Sequence, residues 1–154
     1  GTITTATGTL GEEGPMTRTV RAFVSAQAAA LAGGISRPED WEPIAAFIDT
    51  GSFKRVGAYL EELDWDAYKG FLTGWATGDT RFEFTEFHIT EAGDAVFQEI
   101  EERHWRGEQF IRKNVIAVYR FTAEGKIRHL DIYEQAKDSG DWIKDAARKV
   151  NGSA

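Results

Sequence analysis

From Arg81 onward apolar and polar residues alternate with a period of two. RFEFTEFHI, AVFQEIEERHW, QFIRKNVIAVYRF and KIRHLDIYEQ predict four strands, and EAGD, RGE and TAEG between them are hairpin-type turns. The first half of the chain follows a helical period instead. Val20, Phe23, Val24, Ala28 and Leu31 form the apolar stripe of a helix that Thr17 can cap and Gly33-Gly34 stop. Ser36, with Glu39 three places on, gives a capping-box pattern ahead of Trp41, Ile44, Ala45, Phe47 and Ile48, a short second helix ending near Asp49. Phe53 to Val56 predicts a short strand followed by a helical turn. Asp64 then caps a third helix carrying Trp65, Tyr68, Phe71, Leu72 and Trp75. GDWIKDAARKV can add a terminal helix. Helices first and an antiparallel meander second predict an α+β domain, with helices on one face of a curved sheet.

Composition narrows the picture. Residues 1–15, GTITTATGTLGEEGP, show no periodicity that could bury a face, which predicts a disordered N-terminal arm and leaves 16–154 as a single domain. A chain of 154 residues, 42% hydrophobic and 12% aromatic, is long and apolar enough for one core and too short for two. The net charge of -7, with no basic cluster longer than Arg112-Lys113, removes nucleic acid as an expected partner. No apolar run approaches the roughly 20 residues that cross a bilayer, so no membrane partner is expected. The opening residues lack the charged and apolar regions of a signal peptide, and a cytoplasmic location is the resulting expectation. Without cysteine there is no disulfide framework and no thiolate nucleophile. No His-x-His or His-Glu-x-x-His spacing occurs, and no serine stands in a nucleophile-elbow context, so neither metal nor cofactor is expected. Asp, Glu, His and Tyr are the groups left to move protons.

The second strand is crowded with such groups: Glu99, Glu101, Glu102, Arg103 and His104. Alternation sends Gln98, Ile100, Glu102 and His104 to one face, and Phe97, Glu99, Glu101, Arg103 and Trp105 to the other. Two readings stand open. In one, the charges are a wet face with Arg112 and Lys113 as cross-strand partners. In the other, Glu102 and His104 share Ile100's face and point into a pocket, where burial raises the carboxyl pKa toward neutrality and suits a general acid or base. His88 joins them if it faces Glu102, because a carboxylate orients an imidazole and raises its basicity. In the last hairpin, a three-residue loop Ala123-Glu124-Gly125 sets Thr122 opposite Lys126. Tyr119, His129, Asp131 and Tyr133 then share one face, lining a pocket or lying exposed, and Ile116, Val118, Leu130 and Ile132 share the other. Trp65, Tyr68, Phe71, Trp75, Tyr119 and Trp105 could supply apolar pocket walls or plain core.

Several segments in order carry a resemblance. FIDTGSFKRV looks like the end of a second helix with the short strand after it, and DAYKGFLTG like a third helix. FHI with its Gly-containing turn and VFQEIEE look like central strands, and FTAEGKI like a last hairpin. Together, residues 17–150 resemble the NTF2-like cone shared by nuclear transport factor 2, ketosteroid isomerase, scytalone dehydratase, SnoaL-like polyketide cyclases and limonene-1,2-epoxide hydrolase. The local echoes are with the epoxide hydrolases, in which an Asp-Arg-Asp group, helped by a Tyr and an Asn, activates water in an apolar pocket. Here Phe53 and Arg55 stand at the Tyr and Asn positions, and Ile100-Glu101-Glu102 stands where Arg-x-Asp would read. The second Asp falls on Ile132 or, with a one-residue shift, on Asp131. The resemblance therefore implies a cofactor-independent isomerase, cyclase or dehydratase-type lyase, ahead of an epoxide hydrolase, acting on a hydrophobic, aromatic or polycyclic small molecule. The alternative is a non-catalytic binding or dimerisation module of the same fold. The catalytic candidates are Asp131, Glu102, His88 and His129, and the substrate-binding candidates are Arg55, Tyr119, Tyr133, His104 and Trp75. An open sheet face bearing Phe97, Trp105, Ile116 and Val118 predicts a homodimer.

Overall fold

The computed structural model describes residues 13–136 together with Asp145 and residues 148–150. Residues 1–12 of the expected arm and most of the expected terminal helix lie outside the described residues. Helix α1 (Pro15–Gly33) is followed by a 3-10 turn (Pro38–Trp41) that runs into α2 (Glu42–Ala45). Strands β1 (Lys54–Val56) and β2 (Glu62–Leu63) precede α3 (Trp65–Thr77). The long strands β3 (Thr80–Ala92), β4 (Ala95–Arg106), β5 (Gln109–Phe121) and β6 (Ile127–Ala136) complete the order.

Tertiary contacts decide how the helices begin. Pro15 occupies the first turn of α1, where a missing N–H costs nothing, and Gly14 is the cap residue. Thr17 is not the cap: it lies inside the helix, and both its N–H and its hydroxyl donate to Glu91 Oε1 of β3, at 3.0 and 2.7 Å. A strand carboxylate thus satisfies the helix start. At the 3-10 turn the acceptor is Asp40 rather than Glu39; its Oδ2 takes the Ser36 and Arg37 N–H groups at 2.9 and 3.2 Å. Pro43 has no N–H to continue a ladder, so Trp41 and Ile44 reach the core from two short turns instead of one helix. Asp64 does cap α3, accepting from Ala67 N at 2.9 Å. In place of a helical turn after β1, the chain reverses through Leu60, at a left-handed φ of 64°, and returns as β2.

Among the described residues the sheet has six strands in the order β2-β1-β6-β5-β4-β3, antiparallel throughout except for β1 beside β6. One face packs on the helices. Ile89, Val96, Ala117, Tyr119, Phe121 and Leu130 meet Val20, Phe23, Trp41, Ile44, Phe53 and Tyr68 in one buried cluster. We call this the inner face.

Two bulges set which residues reach it. In β3, Glu86 pairs with Ile100 but His88 pairs with Glu99, so one extra residue is absorbed at Phe87. In the last hairpin the expected loop forms: Thr122 N donates to Lys126 O at 2.8 Å, and Gly125 has φ 85°. The register then slips, because Phe121 pairs with Ile127 while Arg120 pairs with His129. Arg128 is the extra residue, and its guanidinium anchors the bulge by donating to Phe121 O at 3.2 Å and to Asp94 at 2.9 Å. Downstream of each bulge the side chains exchange faces. Leu130, Ile132 and Glu134 turn inward, and His129, Asp131 and Tyr133 turn outward with Arg120, Val118 and Ile116. This corrects the face assignment expected from unbroken alternation. Among the described residues no helix is long and apolar enough to cross a membrane.

Candidate functional site

Beyond the packed cluster, the inner face continues along β3, β4 and β5 toward Arg106 and Gln109. Phe82 lies opposite His104, Phe84 opposite Glu102, Glu102 opposite Lys113, and His104 opposite Ile111. Residues two apart on a strand share a face, so Glu102 and His104 are neighbours, and His104 Nε2 lies 3.0 Å from Glu102 Oε1. Lys113 Nζ is 3.8 Å from the same Glu102 oxygen and 2.9 Å from Glu134 Oε2. Arg55 of β1, level with Leu130, brings a guanidinium that stacks over Phe71 at 4.9 Å and pairs with the buried Glu61 at 3.6 Å.

A second polar line runs through the core from α1. Arg21 Nη1 is 3.1 Å from Oε2 of Glu86, which is 1% exposed. Gln98 Nε2 donates to Glu86 Oε1 at 3.0 Å, and the Tyr119 hydroxyl donates to Gln98 Oε1 at 3.3 Å. The Tyr68 hydroxyl accepts from Gln27 Nε2 at 3.3 Å.

The electrostatics differ from what burial alone predicts. Burial pushes the Glu102 carboxyl up, yet the hydrogen bond from His104 and the charges of Lys113, His104 and Arg55 outweigh it. The net shift is below the ordinary value, so Glu102 is held as a carboxylate and the expected rise toward neutrality does not occur. Burial raises Tyr119 strongly, with Tyr68, Glu102 and Glu86 adding to it. Tyr68 also rises by burial, which exceeds the opposing effects of Arg55 and Gln27. Both phenols remain protonated and can act as donors.

Aromatic rings wall the Glu102-His104 pair. Phe82 lies 4.9 Å from the His104 ring and 5.7 Å from Phe84, and Trp75 meets it edge-on at 5.8 Å. A cleft of about 250 Å³ is lined by Leu31, Trp75, Ala76, Thr80, Arg81 and Phe82.

Of the candidates from sequence, Glu102, His104, Arg55 and Tyr119 share the inner face, and Trp75 joins them through Phe82. Asp131 and His129 pair with each other at 2.9 Å on the outer face, with Arg120 at 3.5 Å from Asp131. Tyr133 lies there too, exposed. His88 does not face Glu102; the β3 bulge turns it out to Glu99 at 3.0 Å, with 60% of its side chain exposed. Lys113 was the residue missed. Only the wet-face alternative names it, as a cross-strand partner, yet it falls in phase with Ile111, Val115 and Ala117, and that phase was the available signal. Among the described residues no group of three His, Asp or Glu is arranged to hold a metal ion.

No protein-family model matches the sequence, and no curated protein matches it. Solved structures do share its fold. A protein described as a SnoaL-like polyketide cyclase from Jannaschia Sp. CCS1 is 12% identical, with a TM-score of 0.63 over 94% of this chain and 100% of its own. A steroid delta-isomerase from Pseudomonas aeruginosa is 14% identical, with a TM-score of 0.60 over 92% of this chain and 94% of its own. An LEH-like epoxide hydrolase from M. tuberculosis is 18% identical, with a TM-score of 0.58 over 88% of this chain and 89% of its own. The chain therefore has the NTF2-like α+β fold. At these identities the likeness is one of fold, and the reaction has to be argued from the site.

Proposed function

We propose that this chain is a cofactor-independent acid-base enzyme acting on a hydrophobic, aromatic or polycyclic small molecule held against the inner face. The observation that carries the reading is the Glu102-His104 hydrogen bond at 3.0 Å among aromatic walls. With Nε2–H donated to the carboxylate, a neutral imidazole presents Nδ1 as a base; once protonated, it is stabilised by Glu102 and can return the proton elsewhere on the substrate. The Tyr68 hydroxyl accepts from Gln27 and keeps its own hydrogen available for a substrate carbonyl or a developing oxyanion. Isomerisation, cyclisation and dehydration all need these two proton movements. Epoxide opening is less well supported, because Ile100 and Ile132 stand on the inner face where the resemblance would put an Arg and a second Asp. His88, His129 and Asp131 have no part in this reading. The apolar residues of the outer face support a homodimer with a second copy of the chain.

One observation favours a binding module instead: the charges of the site are largely satisfied by one another, Glu102 and Glu134 by Lys113, and Glu61 by Arg55. The two readings separate experimentally. A thermal-shift screen of aromatic, steroid-like and terpenoid compounds identifies ligands that bind the folded state. Hits bearing acidic C–H groups are then incubated with protein in D2O, and deuterium incorporation is followed by NMR. Binding with protein-dependent exchange supports the enzyme; binding without exchange for every hit contradicts it and supports the module.

A further inference from the structure

Lys113 is 8% exposed and stands directly opposite Glu102 in the β4-β5 register. Its ammonium lies 2.9 Å from Glu134 and 3.8 Å from Glu102 Oε1, the same oxygen that meets His104 Nε2. From this geometry we infer that Lys113 is a positioning residue of the proton-transfer pair: it keeps Glu102 an acceptor-only carboxylate, which assigns the hydrogen to Nε2 of His104 and leaves Nδ1 to exchange a proton with the ligand. The inference rests on the Glu102-His104 reading above and adds what fixes its direction.

An ionised carboxylate can only accept, so a neutral imidazole bound to it must present an N–H there. A carboxyl that has taken up a proton becomes a donor itself, and either tautomer of His104 would then do. The groups facing Glu102 are His104 on β4, Lys113 and Tyr119 on β5, Glu134 on β6, Arg55 on β1 and Tyr68 on α3, with Phe84 opposite on β3. Both phenols are neutral, and Arg55, which also lowers Glu102, contributes less than Lys113 and is shared with Glu61. Replacing Lys113 by a neutral residue leaves Glu102 and Glu134 on a buried face with one cation fewer, and two such carboxylates do not both stay ionised easily. A proton taken up there unfixes the tautomer.

The test uses the full chain with 13C-labelled glutamate and 15N-labelled histidine. In the wild type, the His104 nitrogens are expected to report the Nε2–H form when the ring is neutral; an Nδ1–H form overturns the inference without any variant. In Lys113→Met, the Glu102 titration is expected to move up by roughly one pH unit or more, while Lys113→Arg keeps it near the wild-type position. Lys113→Gln serves if the Met variant does not fold. For a compound that exchanges deuterium, the acid limb of the rate profile is expected to move up with the Glu102 titration. A folded neutral variant with an unchanged Glu102 titration and an unchanged profile overturns the role of Lys113 and leaves the enzyme reading intact. A shifted titration in a protein that exchanges no bound compound at any pH overturns the enzyme reading instead.

Discussion

Glu102 and His104, two residues apart on β4, meet through Oε1 and Nε2 at 3.0 Å on the inner face, while His129 and Asp131, two apart on β6, make the same contact at 2.9 Å on the outer face. The chemistry of the two pairs is alike, and their surroundings are not. Glu102 lies among Lys113, Arg55 and the aromatic walls; Asp131 shares its face with Arg120 and the exposed Ile116 and Tyr133.

Glu102 links the site to acid stability. Its folded pKa lies below the ordinary carboxyl value of 4.5, so its charge stabilises the fold above about pH 4.5, and that contribution is lost as pH falls through the folded value. Glu102→Gln is therefore expected to lower the urea midpoint at pH 7, with the gap to the wild type narrowing below pH 4.5. A gap that stays constant from pH 7 to pH 3 would contradict the electrostatic assignment.

The start of α1 depends on Glu91. Replacing it by Ala removes the acceptor for the Thr17 N–H and hydroxyl and is expected to cost about 1–2 kcal/mol in urea unfolding. Gly14→Ala should destabilise as well, because a Cβ there would meet the Glu91 carboxylate in its present position. Unchanged midpoints for both variants would show that the helix start is satisfied in another way.

Phe97, Phe110, Ile116 and Tyr133 are exposed large apolar residues, and Ile116 and Tyr133 pair directly across β5 and β6 on the outer face. Light scattering is expected to give about twice the chain mass of 17.2 kDa, and Ile116→Glu to return the chain to a monomer. A wild type that runs as a monomer at micromolar concentration contradicts the dimer.

The strands, α1, α3 and the shared face of Ile100, Glu102 and His104 were legible because period-two and period-3.6 patterns are local properties of the chain. What was not legible came from single inserted residues. Nothing in EFHIT marks Phe87 as a bulge, and nothing in KIRHLD marks Arg128, yet each reverses every face assignment after it. His88, His129, Asp131 and Tyr133 all lie past a bulge, and all four turn outward. The shift of Glu102 was missed for a related reason. Burial could be anticipated from alternation, but the cations that reverse its effect come from β1 and β5, and their direction depends on the register of the whole sheet. Glu91 at the start of α1 is likewise a partner 74 residues away, beyond any capping pattern read along the chain.

On the proposed reading, proton transfer belongs to Glu102 and His104 on the inner face and not to His129 and Asp131 on the outer one. The most direct measurement compares Glu102→Gln and Asp131→Asn in the deuterium-exchange assay, with a compound that the wild type binds and exchanges. Both substitutions keep shape and remove a carboxylate. Glu102→Gln is expected to lower the exchange rate by roughly two to four powers of ten with ligand affinity retained, and Asp131→Asn to leave it within about threefold of wild type. The reverse pattern, exchange lost in Asp131→Asn and kept in Glu102→Gln, would contradict the account.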